Sequence, residues 1–151
     1  MVDDGFAILK VGPGLTFALR EALYGLDMIA AELYPDSSRR SLRDTMEAVM
    51  RSSPDNWQKY YAGSEHEQAL LRHFSYSDRI RYYWPEAAAS AAVDALLQQL
   101  DGVDIPEPLI AQYLGGLLVK VRNQSVAPRG RELLLAAIGH VMQDYIDACQ
   151  G

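Results

Sequence analysis

The sequence predicts a mostly α-helical chain with one β-strand near its N-terminus. Two observations lead to this prediction. Residues 6–11 form a short apolar run between Gly5 and Gly12, which is typical of a buried strand. Beyond this run, apolar residues recur at three- and four-residue steps along most of the sequence, which is the periodicity of helices. We therefore expect one strand followed by about seven helices.

Proline, glycine and serine residues mark the ends of the first helices. Gly12-Pro13-Gly14 breaks the chain before a predicted helix over 15–33, and Pro35 ends that helix. A second helix is predicted over about 39–52. Ser53-Pro54 has the form of a third helix start, because serine is a good N-cap and proline fits the first helical position. This third helix would carry the aromatic residues Trp57, Tyr60 and Tyr61.

The later helices also have recognisable start and stop signals. Ser64-Glu65-His66-Glu67 is a capping box and opens the next predicted helix. Its buried face is expected to carry Leu70, Leu71 and Phe74. A helix rich in aromatic residues follows, capped by a serine and ended by Pro85. The remaining elements are an alanine-rich helix over 85–100, a short helix near 107–115, a loop over 120–130 and a long helix near 130–148.

Length, charge and cysteine content narrow the classes of function. The 151 residues suffice for one domain with a sizeable core. A net charge of −6 argues against nucleic acid and anionic membranes as partners, and favours small molecules or another protein. Cys149 is the single cysteine, so no internal disulfide can form. Because the N-terminal residues are acidic and lack the basic region of a signal peptide, we expect a cytoplasmic protein.

The single predicted strand raises a physical problem. A strand buried without neighbours leaves its backbone groups unpaired, at about 1–3 kcal/mol per group. The continuous apolar character of residues 6–11 suggests burial on both faces, as in a parallel sheet. We therefore expect that its neighbouring strands lie outside this chain, which would then be the C-terminal piece of a larger α/β fold.

Four separated motifs resemble those of one protein family. Residues 9–23, Leu-Lys-Val-Gly-Pro-Gly-Leu-Thr-Phe-Ala-Leu-Arg-Glu-Ala-Leu, are similar to the last barrel strand and helix of the non-catalytic subunit of class II D-tagatose-1,6-bisphosphate aldolase. Residues 76–85, Tyr-Ser-Asp-Arg-Ile-Arg-Tyr-Tyr-Trp-Pro, resemble the signature of the same family. Residues 57–61 before this run, and residues 102–106 and 112–114 after it, follow in the family's order.

The resemblance implies a fold and a mode of action. It implies the C-terminal portion of a class II aldolase-like (β/α)₈ TIM barrel, with the last strand and helix in residues 1–35 and a helical extension in residues 36–151. In this family the subunit supports the activity and stability of a separate catalytic chain during catabolism of galactitol and N-acetylgalactosamine. The catalytic chain uses histidine-bound zinc to cleave D-tagatose 1,6-bisphosphate, so zinc is expected only on that partner and no cofactor on this chain.

Three functional hypotheses follow from these features. The leading hypothesis is a non-catalytic subunit that acts through contact with the catalytic aldolase chain. The second is an enzyme that binds a sugar phosphate, either an aldolase or the tagatose-6-phosphate kinase of the family's older label, although no phosphate-binding GxxxxGK[ST] loop is present. The third is a gene fragment without function.

Two kinds of small-ligand site were considered. His66 and His73 are seven residues apart and His140 is remote, so their spacing predicts no metal site. Barrels commonly bind phosphate after their last strands, at backbone N–H groups and a helix N-terminus. A weak phosphate site is therefore predicted at Lys10, Gly12, Gly14 and Thr16. The alternatives are a simple strand-to-helix turn, and a structural salt bridge for Lys10.

The aromatic and arginine-rich run after residue 75 is the remaining candidate site. Tyrosine, tryptophan and arginine are the residues that dominate binding hot spots, so one interpretation of this run is a subunit interface. The alternative is a hydrogen-bonded knot in the core. The residues concerned are Asp78, Arg79, Arg81, Tyr82, Tyr83 and Trp84.

Overall fold

The structure is a computed structural model that describes residues 12–150. Helices form most of this part of the chain. The mostly helical class is thereby confirmed, while the predicted strand over residues 6–11 lies outside the described residues. The α-helices of this part are α1 (Gly14–Leu33), α2 (Leu42–Ser52), α3 (Glu65–Phe74), α4 (Ala87–Gln99), α5 (Glu107–Tyr113), α6 (Leu118–Arg122) and α7 (Gly130–Gln150). Short 3₁₀ helices lie at Pro54–Asn56, Arg79–Tyr82 and Gly115–Leu117.

Helix α1 lies at the centre of the core. It packs against α7, α5, α2 and α4. Its apolar residues recur on one broad face, and Leu23, Leu26 and Ile29 are completely buried there. The other helices contribute further buried side chains to the same cluster, including Met46, Met50, Leu96, Ile110 and Leu133.

Polar residues of α1 fix the positions of other segments. Arg20, Tyr24 and Asp27 follow at steps of four and three, so they lie on one side of the helix. The Asp27 carboxylate accepts the backbone N–H of Leu42 at 2.9 Å and a guanidinium N–H of Arg39 at 2.7 Å. This carboxylate therefore fixes the start of α2 on α1. Arg20 and Tyr24 likewise hold two other segments against α1, through contacts with Asp78 and His73.

Local capping signals set the ends of two helices. The Ser41 hydroxyl accepts the backbone N–H of Asp44, so α2 begins at Leu42 and not at residue 39 as predicted. The predicted capping box of Ser64 and Glu67 is confirmed, with both reciprocal hydrogen bonds present. Each of these bonds joins residues that are three positions apart, which explains why the sequence signals them.

Two predicted helices are wrong. The predicted helix after Ser53 is only the 3₁₀ helix Pro54–Asn56, because the Trp57 indole turns inward and donates to the Met50 carbonyl at 2.6 Å. The predicted aromatic helix is the 3₁₀ helix Arg79–Tyr82, because Asp78 has a φ of 46°, which an α-helix cannot accommodate.

Two further predictions need correction. In α3, Leu70 and Phe74 are 43% and 47% exposed, whereas Arg72 and His73 are buried. Both buried side chains contact the Glu47 carboxylate of α2. The predicted loop over 120–130 begins with the end of α6, whose valines are weak helix formers and gave no helical signal. No helix within residues 12–150 has the length and apolar character needed to cross a membrane.

Close packing at Gly25 yields the first testable prediction. A Cβ atom at Gly25 would lie 2.7 Å from a methyl carbon of Leu114 and 2.8 Å from the Tyr113 carbonyl oxygen. We expect Gly25→Ala to lower the free energy of unfolding by about 1–3 kcal/mol, because the α1–α5 contact must open. Gly139 is a matched control on α7, since a Cβ there meets no atom within 4 Å. Gly139→Ala should be neutral or stabilising in urea titrations; equal effects at both sites would contradict the packing.

Candidate functional site: the aromatic–arginine segment

The aromatic–arginine segment, residues 75–85, divides its side chains between the core and the surface. Asp78 lies in the left-handed region, which aspartate tolerates better than most residues. The 3₁₀ helix that follows directs Ile80 and Tyr83 inward, and both are 1% exposed. Arg81 is partly exposed and Tyr82 is 45% exposed. The segment therefore combines an inner, packed side with an outer, accessible side.

Asp78 attaches the segment to the first turns of α1. Its carboxylate accepts the Thr16 hydroxyl at 2.7 Å and the Nε–H of Arg20 at 3.1 Å. Arg20 is 3% exposed and also donates to the carbonyl of His73. The Phe17 ring covers the guanidinium group at 4.1 Å. A charge pair this deeply buried is stable only while both partners are present.

A second buried network joins α1, α2 and α3. The Tyr24 hydroxyl lies 2.6 Å from Nδ1 of His73, and Nε2 of His73 lies 3.1 Å from the Glu47 carboxylate. Since a carboxylate only accepts, Nε2 carries the imidazole proton and Nδ1 accepts from the tyrosine hydroxyl. Burial raises the pKa of Tyr24, which keeps that donor protonated.

Burial favours the neutral form of His73. Burial is the main reason that the pKa of His73 falls from 6.5 to about 4, and the nearby Glu47 only partly offsets this effect. Arg72 donates to both oxygens of the Glu47 carboxylate and to Glu65, and its guanidinium lies 4.6 Å from the centre of the Trp57 ring. Although partial burial raises the pKa of Glu47, these contacts with Arg72 outweigh it, so the pKa is lowered.

The outer side of the segment carries stacked cations. The Arg79 guanidinium lies 3.1 Å from the centre of the Tyr60 ring and donates to the Asn56 carbonyl. Arg81 donates to the Ser77 carbonyl at 2.6 Å and to the Tyr82 hydroxyl at 2.9 Å. Trp84 is half-buried and contacts the core cluster. The segment therefore combines features of both predicted roles: Asp78 and Tyr83 lie inside, whereas Tyr82 and the partly exposed arginines lie outside.

The predicted phosphate residues lie around the start of α1. Thr16 donates its hydroxyl to Asp78 and also lies 3.0 Å from the Pro13 carbonyl oxygen. Gly14 abuts the Tyr145 hydroxyl of α7, Gly12 is exposed, and Lys10 lies outside the described residues. Thr16 and Asp78, which were predicted to belong to different sites, are thus in direct contact.

The histidines lie apart from one another. His73 belongs to the buried network, whereas His66 and His140 are exposed. Within residues 12–150 no three histidine, cysteine, aspartate or glutamate side chains are grouped closely enough to hold a metal ion.

The sequence-based predictions missed the buried polar residues Arg20, Arg72 and His73, and their half-buried partner Glu47. The sequence contained one signal for Arg20. This arginine lies at a position of α1 where the helical periodicity otherwise places buried apolar residues. Charged residues on such a face are rarely buried without a partner. Asp78, the partner of Arg20, and Glu47, the shared partner of Arg72 and His73, lie more than twenty residues away along the chain, so local patterns could not identify them.

Comparison with known proteins gives three related matches. A family model described as "D-tagatose-1,6-bisphosphate aldolase subunit GatZ/KbaZ-like" matches residues 1–150. The D-tagatose 6-phosphate 4-epimerase of Agrobacterium fabrum (strain C58 / ATCC 33970) is 51% identical over 146 residues, which cover 96% of this chain and 33% of that protein. The crystal structure of a probable tagatose 6 phosphate kinase from Sinorhizobium meliloti 1021 is 65% identical, with a TM-score of 0.94 over 98% of this chain and 38% of that one. The chain thus spans about a third of the length of these relatives.

The buried Arg20–Asp78 pair yields a prediction on stability. Asp78→Asn preserves the size and the tolerance for a left-handed backbone but leaves the Arg20 charge without a counter-charge. We expect a loss of about 3–5 kcal/mol in the free energy of unfolding, measured by urea denaturation. Asp104→Asn is the control, because its pair with Arg129 is exposed and should contribute little. A loss no larger than that of the control would refute the assigned role of Asp78.

The buried His73 yields a prediction on pH dependence. The unfolded chain takes up a proton at His73 near pH 6.5, but the folded chain does so only near pH 4. The free energy of unfolding should therefore fall as the pH drops from about 6.5 to about 4, by at most about 3 kcal/mol. The lowered pKa of Glu47 also makes the free energy of unfolding fall with decreasing pH, at the acidic end of this pH range.

Urea titrations across this pH range check the assignment to His73. The variant His73→Gln should show a shallower pH dependence than the wild-type protein, because its side chain does not titrate. His66→Gln is the matched control, since His66 is exposed and its loss should leave the wild-type slope unchanged. Identical slopes for all three proteins would disprove the assignment.

Proposed function

The chain belongs to the D-tagatose-1,6-bisphosphate aldolase subunit GatZ/KbaZ-like family, and we propose that it acts as part of the non-catalytic subunit of that aldolase. Its role would be to support the activity and stability of the catalytic subunit in cytoplasmic carbohydrate catabolism, where tagatose 6-phosphate arises from galactitol or N-acetylgalactosamine. The observation that carries this proposal is the family match, which spans residues 1–150 and names an aldolase subunit. Zinc would belong to the catalytic partner alone.

The division of the chain is part of the same proposal. Residues 1–35 would supply the last strand and helix of a (β/α)₈ barrel, and residues 36–151 a helical extension of it. The likeness to a part of a much longer solved chain, with a TM-score of 0.94, supports this arrangement. So does the position of α1 directly after the Gly12-Pro13 turn, as in the strand-to-helix connections of such barrels.

The described geometry suits a role through contact. The buried pairs around Arg20 and Arg72 hold α1, α2, α3 and the aromatic–arginine segment in fixed relative positions. Several aromatic and arginine side chains stand on the outside of that rigid base. A surface that is already ordered loses less conformational entropy when it binds a partner.

A second candidate function is that of an enzyme acting on a sugar phosphate. The printed names of two relatives, an epimerase and a probable kinase, both contain tagatose 6-phosphate. The predicted phosphate residues Lys10, Gly12, Gly14 and Thr16 would then bind its phosphate group at the start of α1. The relatives are about three times longer than this chain, so such an activity would need residues beyond those present here.

Reconstitution with the catalytic subunit tests the leading proposal. Adding the chain of residues 1–151 to the zinc-dependent aldolase chain of the same organism should raise the rate of D-tagatose 1,6-bisphosphate cleavage and lengthen its half-life on warming. A coupled triose phosphate assay measures both quantities, and the Asp78→Asn variant serves as a poorly folded control. No association and no change in either quantity would refute the proposal.

Calorimetric titration with D-tagatose 6-phosphate distinguishes the second candidate. Binding to the chain, weakened at least about tenfold by Thr16→Ala, would favour the enzyme. Thr45→Ala is the control, because its hydroxyl also bonds a backbone carbonyl at a helix start but lies in α2. Flat titrations of the folded protein would exclude a sugar-phosphate site in this chain.

A further inference from the structure

One exposed surface of the chain combines cations with aromatic rings. This cation–aromatic surface consists of the exposed residues Lys59, Tyr60 and Tyr82 and the partly exposed residues Arg79 and Arg81. Arg79 stacks on Tyr60, the Lys59 ammonium lies 5.1 Å from the centre of the same ring, and Arg81 lies 4.5 Å from the centre of the Tyr82 ring. The three-residue period of the 3₁₀ helix places Arg79 and Tyr82 on one side. The two stacked pairs are therefore neighbours on the surface.

The charge of this surface differs in sign from that of the whole chain. The sequence carries a net charge of −6. Within residues 12–150, however, none of its three cations has a carboxylate within 4 Å, whereas Arg20, Arg72, Arg122 and Arg129 all do. Asp55 and Glu86 lie close enough to act on Tyr83 but form no ion pair with these cations. Asp78 is buried and is bonded to Arg20.

The tyrosine in the surface reports the same local excess of positive charge. The pKa of Tyr60 is lowered, first by the neighbouring Lys59 ammonium and to a smaller extent by Arg79. An anionic group that approached this surface would therefore meet a favourable potential. The acidic balance of the chain as a whole makes nucleic acid the less suitable partner, since non-specific affinity for phosphate backbones needs a broad basic surface.

The cation–aromatic surface is also held in place from beneath. Tyr83 donates its hydroxyl to the Ser53 carbonyl, and Ile80 is buried beside it. The backbone N–H of Arg79 donates to the Tyr61 hydroxyl at 3.3 Å. Because hydrogen bonds to backbone carbonyls already orient both arginines, binding would immobilise fewer free side chains and lose less conformational entropy.

We propose that the cation–aromatic surface contacts an acidic face of the catalytic aldolase subunit, and this inference rests on the proposed function. The partner would present carboxylates to Arg79, Arg81 and Lys59, with apolar side chains against the rings of Tyr60 and Tyr82. These two rings are 50% and 45% exposed, so they offer apolar area beside the charges. Tyrosine and arginine are the residues most enriched in binding hot spots.

Binding measurements at two salt concentrations test the proposal. Isothermal titration of the full chain with the catalytic subunit, at about 50 mM and about 500 mM salt, should show weaker binding at the higher salt. The double variant Arg79→Glu and Arg81→Glu should weaken binding by at least about tenfold at low salt and flatten the salt dependence. Arg40→Glu with Arg131→Glu changes the net charge equally at exposed positions elsewhere and should bind as the wild type does.

A second variant keeps the test decisive if the charge reversals disturb folding. Tyr60→Ser with Tyr82→Ser removes half-exposed rings and should weaken binding about tenfold while the salt dependence persists. Circular dichroism checks that each variant is folded. Wild-type affinity and salt dependence in folded variants of both kinds would overturn the inference and leave the proposed function intact. Equal weakening by the control pair would also overturn it, whereas no binding by the wild type would overturn the proposed function as well.

Discussion

The buried pair of Arg20 and Asp78 is the interaction on which the geometry of the candidate site depends. Both side chains are withdrawn from water, and such charges are stable only with a close and well-oriented counter-charge. To reach Arg20 and Thr16, Asp78 must lie against α1 in a left-handed backbone conformation. That conformation cannot belong to an α-helix, and the residues that follow Asp78 form a 3₁₀ turn. The turn then directs Ile80 and Tyr83 inward and leaves Tyr82 exposed.

Polar side chains also attach other segments to α1 further along this helix. Arg20 binds the aromatic–arginine segment, Tyr24 binds His73 of α3, and Asp27 binds the start of α2. These three residues lie on one side of α1, while its apolar face joins the hydrophobic cluster. Polar contacts thus specify which segment lies where, and apolar burial supplies most of the stabilisation. Helix α1 therefore organises the described part of the chain by two separate means.

This arrangement agrees with a protein that functions by binding. The outer arginines are oriented by contacts to backbone carbonyls, and the turn that carries them is attached to α1 through buried charges. A rigid base of this kind lets a few exposed side chains define a contact surface. Membership of an aldolase subunit family is the ground on which we propose a second polypeptide as the partner. The tagatose phosphate names of the longer relatives keep a sugar-phosphate ligand as the competing proposal.

The sequence by itself determined the helical class, the family, the approximate positions of α1, α2, α4, α5 and α7, and the capping box at Ser64. These features depend on residues a few positions apart, since helix periodicity and capping are local. Only the tertiary structure decided that Arg72 and His73 are buried while Leu70 and Phe74 are not, and that Asp78 and Tyr83 point inward while Tyr82 does not. The reason is distance along the chain: Asp78 meets a partner 58 residues away, and Arg72 one that is 25 residues away. Local patterns contain no information about such pairs, although the resulting desolvation of charge decides which side chains can be buried.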